Sequence, residues 1–409
     1  MKSVIVNPPI SPIRAKINLA ASKSECNRAL IIDAITGFKS KLTNISTARD
    51  SQTMLRLLNA KDAIADVIDA GTTMRFLTAY FTVSNQTKIM TGTPRMCERP
   101  IGILVDALRT LGATITYQNV DGYPPIKMDG FKYSGNNQIS IKGNVSSQYI
   151  SALLLVAPSL PDGINIQLVG EVGSRPYIEM TLKQMEAFGA QYTVSWDTNT
   201  ISVAPGTYTP TEYAIESDWS GASYWYSIVA LAADAEIELT GLKRDSLQGD
   251  SAIVEIMASL GVATEFTSEG VKLTKIEAKE SLSYDFTDCP DLAQTVAVCC
   301  AMKNIPLTLT GIESLKIKET DRVFALQEEL KKLGSELIEI KKDEAYLVRN
   351  TAVKGRELPS IETYDDHRMA MAFAPVGMLQ PIEITEPGVV VKSYPSFWED
   401  IKKITTLSE

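Results

Sequence analysis

Five consecutive residues, Lys318-Glu319-Thr320-Asp321-Arg322, gather two cations, two carboxylates and a hydroxyl where the pattern predicts a helix start. A strand-like run, Pro306-Leu307-Thr308-Leu309-Thr310-Gly311, ends shortly before them. Val323, Leu326, Leu330 and Leu333 then recur at helical spacing. A helix N-terminus offers free N–H donors and the positive end of a dipole, which suits an anion. Lys318 and Arg322 strengthen that site, and Glu319 puts a proton carrier beside it. Taken alone, the segment reads first as a solvated charged cap, with Thr320 and Asp321 as capping residues.

The same chemistry recurs along the chain. Ser22-Lys23-Ser24 with Asn27-Arg28 sets cations and hydroxyls ahead of an apolar helix. In Asp69-Ala70-Gly71-Thr72-Thr73-Met74-Arg75, Gly71 lets a ligand approach the backbone. Glu98-Arg99-Pro100 adds a cation at a Pro-started helix, and Ser146-Ser147-Gln148 offers neutral donors for a hydroxylated ligand. Ser174-Arg175-Pro176-Tyr177, Asp288-Cys289-Pro290-Asp291, Asp365-Asp366-His367-Arg368 and Lys392-Ser393-Tyr394-Pro395 complete the set. Read locally, Asp291 is an N-cap, since Pro290-Asp291 opens a helix, and His367 supports Arg368. Cys26 stands beside Lys23 and Arg28, which could favour a thiolate, but it reads as an inert packing residue, as do Cys299 and Cys300.

The elements that carry these segments form a loose repeat. Leu111-Gly112-Ala113, Phe188-Gly189-Ala190, Leu260-Gly261-Val262 and Leu333-Gly334-Ser335 each end a helix-period segment and precede a strand. Their glycines lie about 70–80 residues apart and read as left-handed C′ residues. Six more buried helices, rich in Ala, Leu and Val, are predicted to begin near Asn27, Gly71, Ser146, Ser220, Asp288 and Asp365. Alternating strands such as Ile164-Asn165-Ile166-Gln167-Leu168 and Ile237-Glu238-Leu239-Thr240 follow most of them. Six α/β units divide into two domains of three, with a break near Ile215-Glu216-Ser217. Polar helix starts would then gather at one end of each domain and line a cleft suited to anions.

Bulk properties agree. A chain of 409 residues fits two domains. Its net charge of −9 opposes non-specific nucleic-acid binding and makes the cations at the helix starts conspicuous. No apolar run approaches the roughly 20 residues needed to span a bilayer. Met1-Lys2-Ser3-Val4-Ile5 reaches Pro8 and Pro9 without a signal-peptide core, so a cytoplasmic location is expected. Five cysteines lack CxxC spacing and His367 is the single histidine, which disfavours a Cys/His metal site. No G-x-S-x-G hydrolase motif occurs.

In combination these motifs resemble the 5-enolpyruvylshikimate-3-phosphate synthase family. Its pattern, S-K-S-x-S-N-R-A, N-A-G-T-x-x-R, R-P-I-G, S-S-Q, S-x-P-Y-I, P-D, K-E-[ST]-D-R, D-H-R-M-A-M and a late Lys, is matched in order over nearly the whole chain. The matching residues are Ser22-Lys23-Ser24 with Asn27-Arg28, Gly71-Thr72 with Arg75, Arg99-Pro100-Ile101-Gly102, Ser146-Ser147-Gln148, Ser174 to Ile178, Pro290-Asp291, Lys318 to Arg322, Asp366 to Met371, and Lys392.

The resemblance implies an α/β, two-domain enolpyruvyl transferase fold, an inside-out α/β barrel. Each domain would hold three βαβαββ-like repeats whose helix N-termini face an interdomain cleft. Residues 1–21 plus 216–409 would form one domain, carrying Asp291, Glu319, Arg322, Arg368 and Lys392. Residues 22–215 would form the inserted one, carrying Lys23, Arg28, Gly71, Arg99 and Gln148. The implied reaction moves the enolpyruvyl group of phosphoenolpyruvate to the 5-hydroxyl of shikimate 3-phosphate through a tetrahedral intermediate. It would need no cofactor, metal, nucleic acid or membrane, and the protein would be a monomer.

The resemblance makes Asp291 the base for the 5-hydroxyl, and Lys23 and Glu319 the proton carriers for the donor's methylene carbon. Lys23 among several cations would tend toward its neutral form. Phosphoenolpyruvate would meet Lys23, Gly71, Arg99, Gln148, Arg322, Arg368 and Lys392. Shikimate 3-phosphate would meet Lys23, Ser24, Arg28, Ser146, Ser147, Gln148, Ser174, Tyr177, Asp291, Ser314 and Lys318. Glyphosate, which inhibits this family at the donor site, would compete with phosphoenolpyruvate.

Some positions depart from the family pattern. Ala20-Ala21 replaces Pro-Gly ahead of Lys23. Phe76 replaces a proline after Arg75 and is expected to press on the helix that starts at Gly71, near the donor. Ser314 replaces an Asn, and Ser217-Asp218-Trp219 replaces Gly-Asp-[AIWY]. UDP-N-acetylglucosamine enolpyruvyl transferase is a competing reading, but it carries Lys-Asn where this chain has Lys23-Ser24, and Cys97 lacks that enzyme's Gly-rich loop. A non-catalytic binding paralogue is opposed by retention of Lys23, Asp291 and Glu319. An RNA-end-processing cyclase is opposed by the acidic composition.

Overall fold

The computed structural model of the chain describes residues 2–351, 355 and 357–409. It divides into two compact units, Met1–Ser22 with Glu216–Glu409, and Lys23–Ile215.

All six predicted buried helices form, and they explain the architecture. In the Lys23–Ile215 unit, helices Lys23–Ile35, Gly71–Val83 and Ser147–Val156 pack against one another. Leu30, Ile31, Ile32, Met74, Leu77, Leu153 and Leu154 are almost wholly buried there. In the other unit, helix Trp219–Leu231 packs on Ala293–Lys303, which in turn packs on His367–Phe373. Trp219, Tyr224, Trp225 and Tyr226 lie within its core. These helices are buried on nearly every side; past their polar starts they are mostly apolar, with Asp33 an exception in Lys23–Ile35. The amphipathic helices ending at Leu111, Ala187, Ser259 and Lys332 present one apolar face each.

The sheets repeat one plan. Two strands pair in parallel, and an antiparallel hairpin extends one side. Thus Ile64–Asp66 pairs in parallel with Lys88–Thr91, which continues antiparallel to Ile126–Phe131 and then Ala113–Tyr117. The same order joins Gln138–Lys142, Ile164–Val169, Thr200–Val203 and Tyr192–Ser195. It recurs in Ile13–Asn18 with Ala235–Thr240, in Leu282–Asp285 with Leu307–Thr310, and in Ser360–Ile361 with Ile382–Thr385, each with its antiparallel extension. The sixth copy is reduced to Lys41–Thr43 beside Glu212–Ala214. A parallel pair requires a crossover, and in α/β units the crossover is usually a helix. Five four-stranded sheets and one two-stranded remnant, three per unit, are therefore the structural form of the repeat among the described residues.

The four glycines predicted to end helices all have positive φ: Gly112 at 113°, Gly189 at 87°, Gly261 at 97° and Gly334 at 76°. At Gly112 the turn is tight, because a Cβ there would meet the Lys132 carbonyl oxygen at 1.9 Å. Both conformation and space exclude a side chain, so Gly112→Ala should cost on the order of 1–3 kcal/mol. A lowered urea midpoint with the fold retained is expected; an unchanged midpoint would refute this account of the turn.

Candidate active site

The Lys318–Arg322 segment does not run straight into a helix. A 3-10 turn, Glu313–Ile317, follows the strand, and the helix begins at Arg322. Asp321 is its N-cap and accepts a hydrogen bond from the Phe324 N–H at 3.0 Å. That leaves Glu319 and Arg322 free to turn toward other groups of their unit.

Arg322 is 2% exposed and binds three carboxylates. Its Nε donates to Asp366 Oδ2 at 2.7 Å, Nη1 to Asp291 Oδ1 at 3.0 Å, and Nη2 to Glu319 Oε2 at 2.9 Å. Asp291 also accepts from Arg368 Nη2 at 2.7 Å, so one carboxylate bridges two guanidiniums. Arg368 Nη1 donates to the Tyr224 hydroxyl at 3.3 Å, and Lys392 Nζ lies 3.6 Å from Glu319 Oε1. The structure thus brings together Asp291, Glu319, Arg322, Arg368 and Lys392, five of the residues expected in this unit. Lys318 acts on Asp291 through its charge. Ser314, by contrast, is exposed on the 3-10 turn.

Each side chain is placed by its backbone. Asp366 caps helix His367–Phe373 by accepting from the Arg368 N–H at 2.9 Å, and it receives Arg322 as well. His367 is buried beside it, with Nδ1 3.6 Å from Asp366 Oδ1. Asp291 is not the N-cap that local pattern suggested. It sits within a 3-10 turn, Pro290–Leu292, that leads into helix Ala293–Lys303, and its carboxylate points at the arginines. Burial alone would raise its affinity for a proton. The charges of Arg368, Lys318 and Arg322 outweigh burial and hold Asp291 below the usual carboxylate range. Burial likewise opposes the charge on Arg322, and Asp366, Glu319 and Asp291 more than restore it.

In the Lys23–Ile215 unit, Lys23 Nζ pairs with Asp50 Oδ2 at 3.0 Å. Beside the several cations expected around Lys23, a buried carboxylate on the next helix faces it. Nothing local in the sequence signals Asp50, which lies 27 residues away. Arg28 is buried and donates to Thr181 Oγ1 at 2.7 Å, the Ser24 carbonyl at 2.8 Å, the Tyr177 carbonyl at 3.2 Å and Ser151 Oγ at 3.3 Å. Burial lowers it to about 10. Its guanidinium lies 5.3 Å from the centroid of Phe76. Phe76 is thus buried beneath Arg28, on the side of the expected sugar-phosphate residues.

Arg99 lies against Gly71, where an added Cβ would come within 2.7 Å of Nη2. Arg75 ties this corner together, donating to the carbonyls of Pro100 at 2.8 Å and Gly71 at 3.2 Å. Gln148 Nε2 donates to Thr72 Oγ1 at 3.2 Å, linking the Ser147–Val156 and Gly71–Val83 helices. Ser146 caps the first of these and Ser147 is its first residue. Ser174 adopts φ 53° at the N-cap of Arg175–Ala187, which also carries Tyr177. A left-handed serine at a helix start is a strained conformation of the kind found at functional sites. Burial pushes the Cys26 thiol up to about 11, against a thiolate role.

The EPSP synthase of Acinetobacter baumannii superposes with a TM-score of 0.76 at 20% identity, covering all of both chains. The enolpyruvyl transferase NikO of Streptomyces tendae gives 0.75 at 12% identity, covering 99% of this chain and 98% of the other. These establish the two-domain enolpyruvyl transferase fold. The 3-phosphoshikimate 1-carboxyvinyltransferase of Bacteroides fragilis is 50% identical over 395 residues, 96% of each chain. That of a Sulfurovum species is 34% identical over 435 residues, 99% of this chain and all of the other. A family model of EPSP synthase (3-phosphoshikimate 1-carboxyvinyltransferase) matches residues 56–401. The chain belongs to the EPSP synthase family.

Removing Asp366 would strip a carboxylate from buried Arg322 and a cap from the neighbouring helix. Asp366→Ala should lower stability by on the order of 3–5 kcal/mol. An unchanged melting temperature at neutral pH would contradict the bridging account.

Proposed function

We propose that the chain transfers the enolpyruvyl group of phosphoenolpyruvate to the 5-hydroxyl of shikimate 3-phosphate, with release of phosphate. The observation that carries this reading is the network of Arg322, Arg368 and Lys392 with Asp291 and Glu319, in a chain half identical to a 3-phosphoshikimate 1-carboxyvinyltransferase. Addition followed by elimination needs cations for the donor's carboxylate and phosphate, a base at the acceptor hydroxyl, and a proton carrier at the methylene carbon.

The donor is assigned to Lys23, Gly71, Arg99 and Gln148 of one unit and Arg322, Arg368 and Lys392 of the other. Guanidiniums match a carboxylate or phosphate two bonds at a time. Gly71 serves here by having no side chain, which leaves Arg99 room against the backbone. Shikimate 3-phosphate is assigned to Lys23, Ser24, Arg28, Ser146, Ser147, Gln148, Ser174, Tyr177, Asp291 and Lys318. Ser314 is the weakest member of the original set, since it is exposed.

Asp291 is the proposed base, yet the two arginines that grip it weaken its basicity. A donor anion that recruits Arg322 and Arg368 would loosen that grip and return proton affinity to Asp291. Base strength would then appear only when the donor is bound. Glu319, held between Arg322 and Lys392, and Lys23, held by Asp50, are the proposed proton carriers to and from the methyl carbon. We also read the protein as a cytoplasmic monomer. Among the described residues no helix is long and apolar enough to cross a membrane.

Phosphate release from phosphoenolpyruvate should occur with shikimate 3-phosphate and not with UDP-N-acetylglucosamine; the reverse preference would overturn the assignment. Glu319→Gln should lose at least about a hundredfold in kcat, in line with general acid–base roles, and near-normal turnover would remove Glu319 from the chemistry. Gly71→Ala should displace Arg99 and raise KM for phosphoenolpyruvate while KM for shikimate 3-phosphate changes little. Equal effects on both constants would show that Gly71 does not serve the donor.

A further inference from the structure

Asp250 lies in the 3-10 turn Gly249–Ala252 and is 2% exposed. The Ser220 hydroxyl donates to its Oδ2. Ser220 and Tyr224 are four residues apart on helix Trp219–Leu231, so they share a face. Tyr224 takes the hydrogen bond of Arg368 Nη1 at 3.3 Å, and Arg368 Nη2 reaches Asp291 Oδ2 at 2.7 Å. One helix face therefore holds Asp250 at its first turn and Arg368 at its second, with Asp291 on the other Nη of the guanidinium.

The charged groups that act most strongly on Asp250 come from this arrangement. Asp218 caps the Trp219–Leu231 helix, Asp291 and Cys289 come from the turn before Ala293–Lys303, and Arg368 comes from His367–Phe373. Arg322, from the start of Arg322–Lys332, acts through its bond to Asp291. Burial first, and then the charge of Asp291, push Asp250 up to about 7, against the opposing pull of Arg368 and the Ser220 hydroxyl.

We propose that Asp250 is a positioning residue that sets how freely Arg368 is given to the anionic donor. Protonated, its carboxyl leaves the guanidinium to the incoming anion. Ionised, it draws that charge back toward the Trp219–Leu231 helix and repels the anion. Donor binding and ionisation of Asp250 oppose each other, and by linkage the bound donor must also favour the protonated carboxyl. This inference rests on the reading of Arg368 as a ligand of phosphoenolpyruvate.

The test is KM for phosphoenolpyruvate and kcat, measured from about pH 6 to about pH 8.5, for the wild type, Asp250→Asn and Ser220→Ala. Wild-type KM should rise roughly tenfold through an ionisation near neutrality, a typical size for such coupling, while kcat lacks that step. Asp250→Asn should show only the donor's own phosphate titration, common to all three proteins. Ser220→Ala removes a hydroxyl that favours the charged carboxylate, so the rise should move to higher pH. Identical KM profiles for wild type and Asp250→Asn, or a downward move in Ser220→Ala, would overturn the proposal. If Asp250→Asn does not fold, the direction of the Ser220→Ala move decides.

Thermal unfolding gives a readout free of substrate. A carboxyl whose folded proton affinity is raised contributes stability that is full below the unfolded value and is lost as pH rises through the folded one. The wild type should lose stability relative to Asp250→Asn between about pH 4 and about pH 7, and parallel curves would count against the proposal. A wild type that releases no phosphate from phosphoenolpyruvate at any pH would instead strike the assigned reaction.

Discussion

A guanidinium buried inside a protein is costly unless its charge and its hydrogen bonds are met. Arg322 meets that condition with three carboxylates from three separate places in the chain: Glu319 just before its helix, Asp291 in a 3-10 turn, and Asp366 at the cap of another helix. The geometry of the whole cluster follows from this constraint. Asp291 must point inward, so it cannot cap its own helix. Glu319 must fold back over the first turn, which the Asp321 cap makes possible. Arg368 and Lys392 then balance the remaining charge of Asp291 and Glu319. The cluster is near neutral and fixed in place, so little reorganisation separates it from a state that holds an anion.

The Lys23–Ile215 unit solves a different problem with the same kind of helix start. Arg28 is buried with hydroxyl and carbonyl acceptors and the face of Phe76 around it. Such a charge is solvated largely by dipoles, with Glu25 acting on it through its charge, and it suits a ligand carboxylate or phosphate. Arg99 gains its position from a missing side chain at Gly71. Lys23, by contrast, is matched by Asp50, as the arginines of the other unit are by their carboxylates.

Much of this was legible in the sequence, for identifiable reasons. Helices that are mostly apolar past their polar starts announce themselves by composition, and the six starting near Asn27, Gly71, Ser146, Ser220, Asp288 and Asp365 were all found. The glycines at 112, 189, 261 and 334 are the residues that left-handed helix ends require. What stayed hidden was non-local. The parallel pairing of Lys41–Thr43 with Glu212–Ala214 spans most of a domain. Asp50 facing Lys23, and Tyr224 facing Arg368, leave no local spacing to read. Phe76 was read from its bulk, but its direction depends on Arg28 above it, which only the packed unit reveals. Asp291 was misread locally because Pro-Asp before a helix fits a cap, and the competing demand of two arginines is invisible in one segment.

The bridging of Arg322 also limits how this chain can change over evolutionary time. Asp291, Glu319, Asp366 and Arg322 share one guanidinium, so the effect of altering any one depends on the state of the other three. Single steps away from the set leave a buried charge unbalanced, and paired steps must arise together. Positions such as Ser314, exposed on its turn, carry no such debt and can drift. The four residues are thus expected to be inherited as a block, even where the sheets around them diverge.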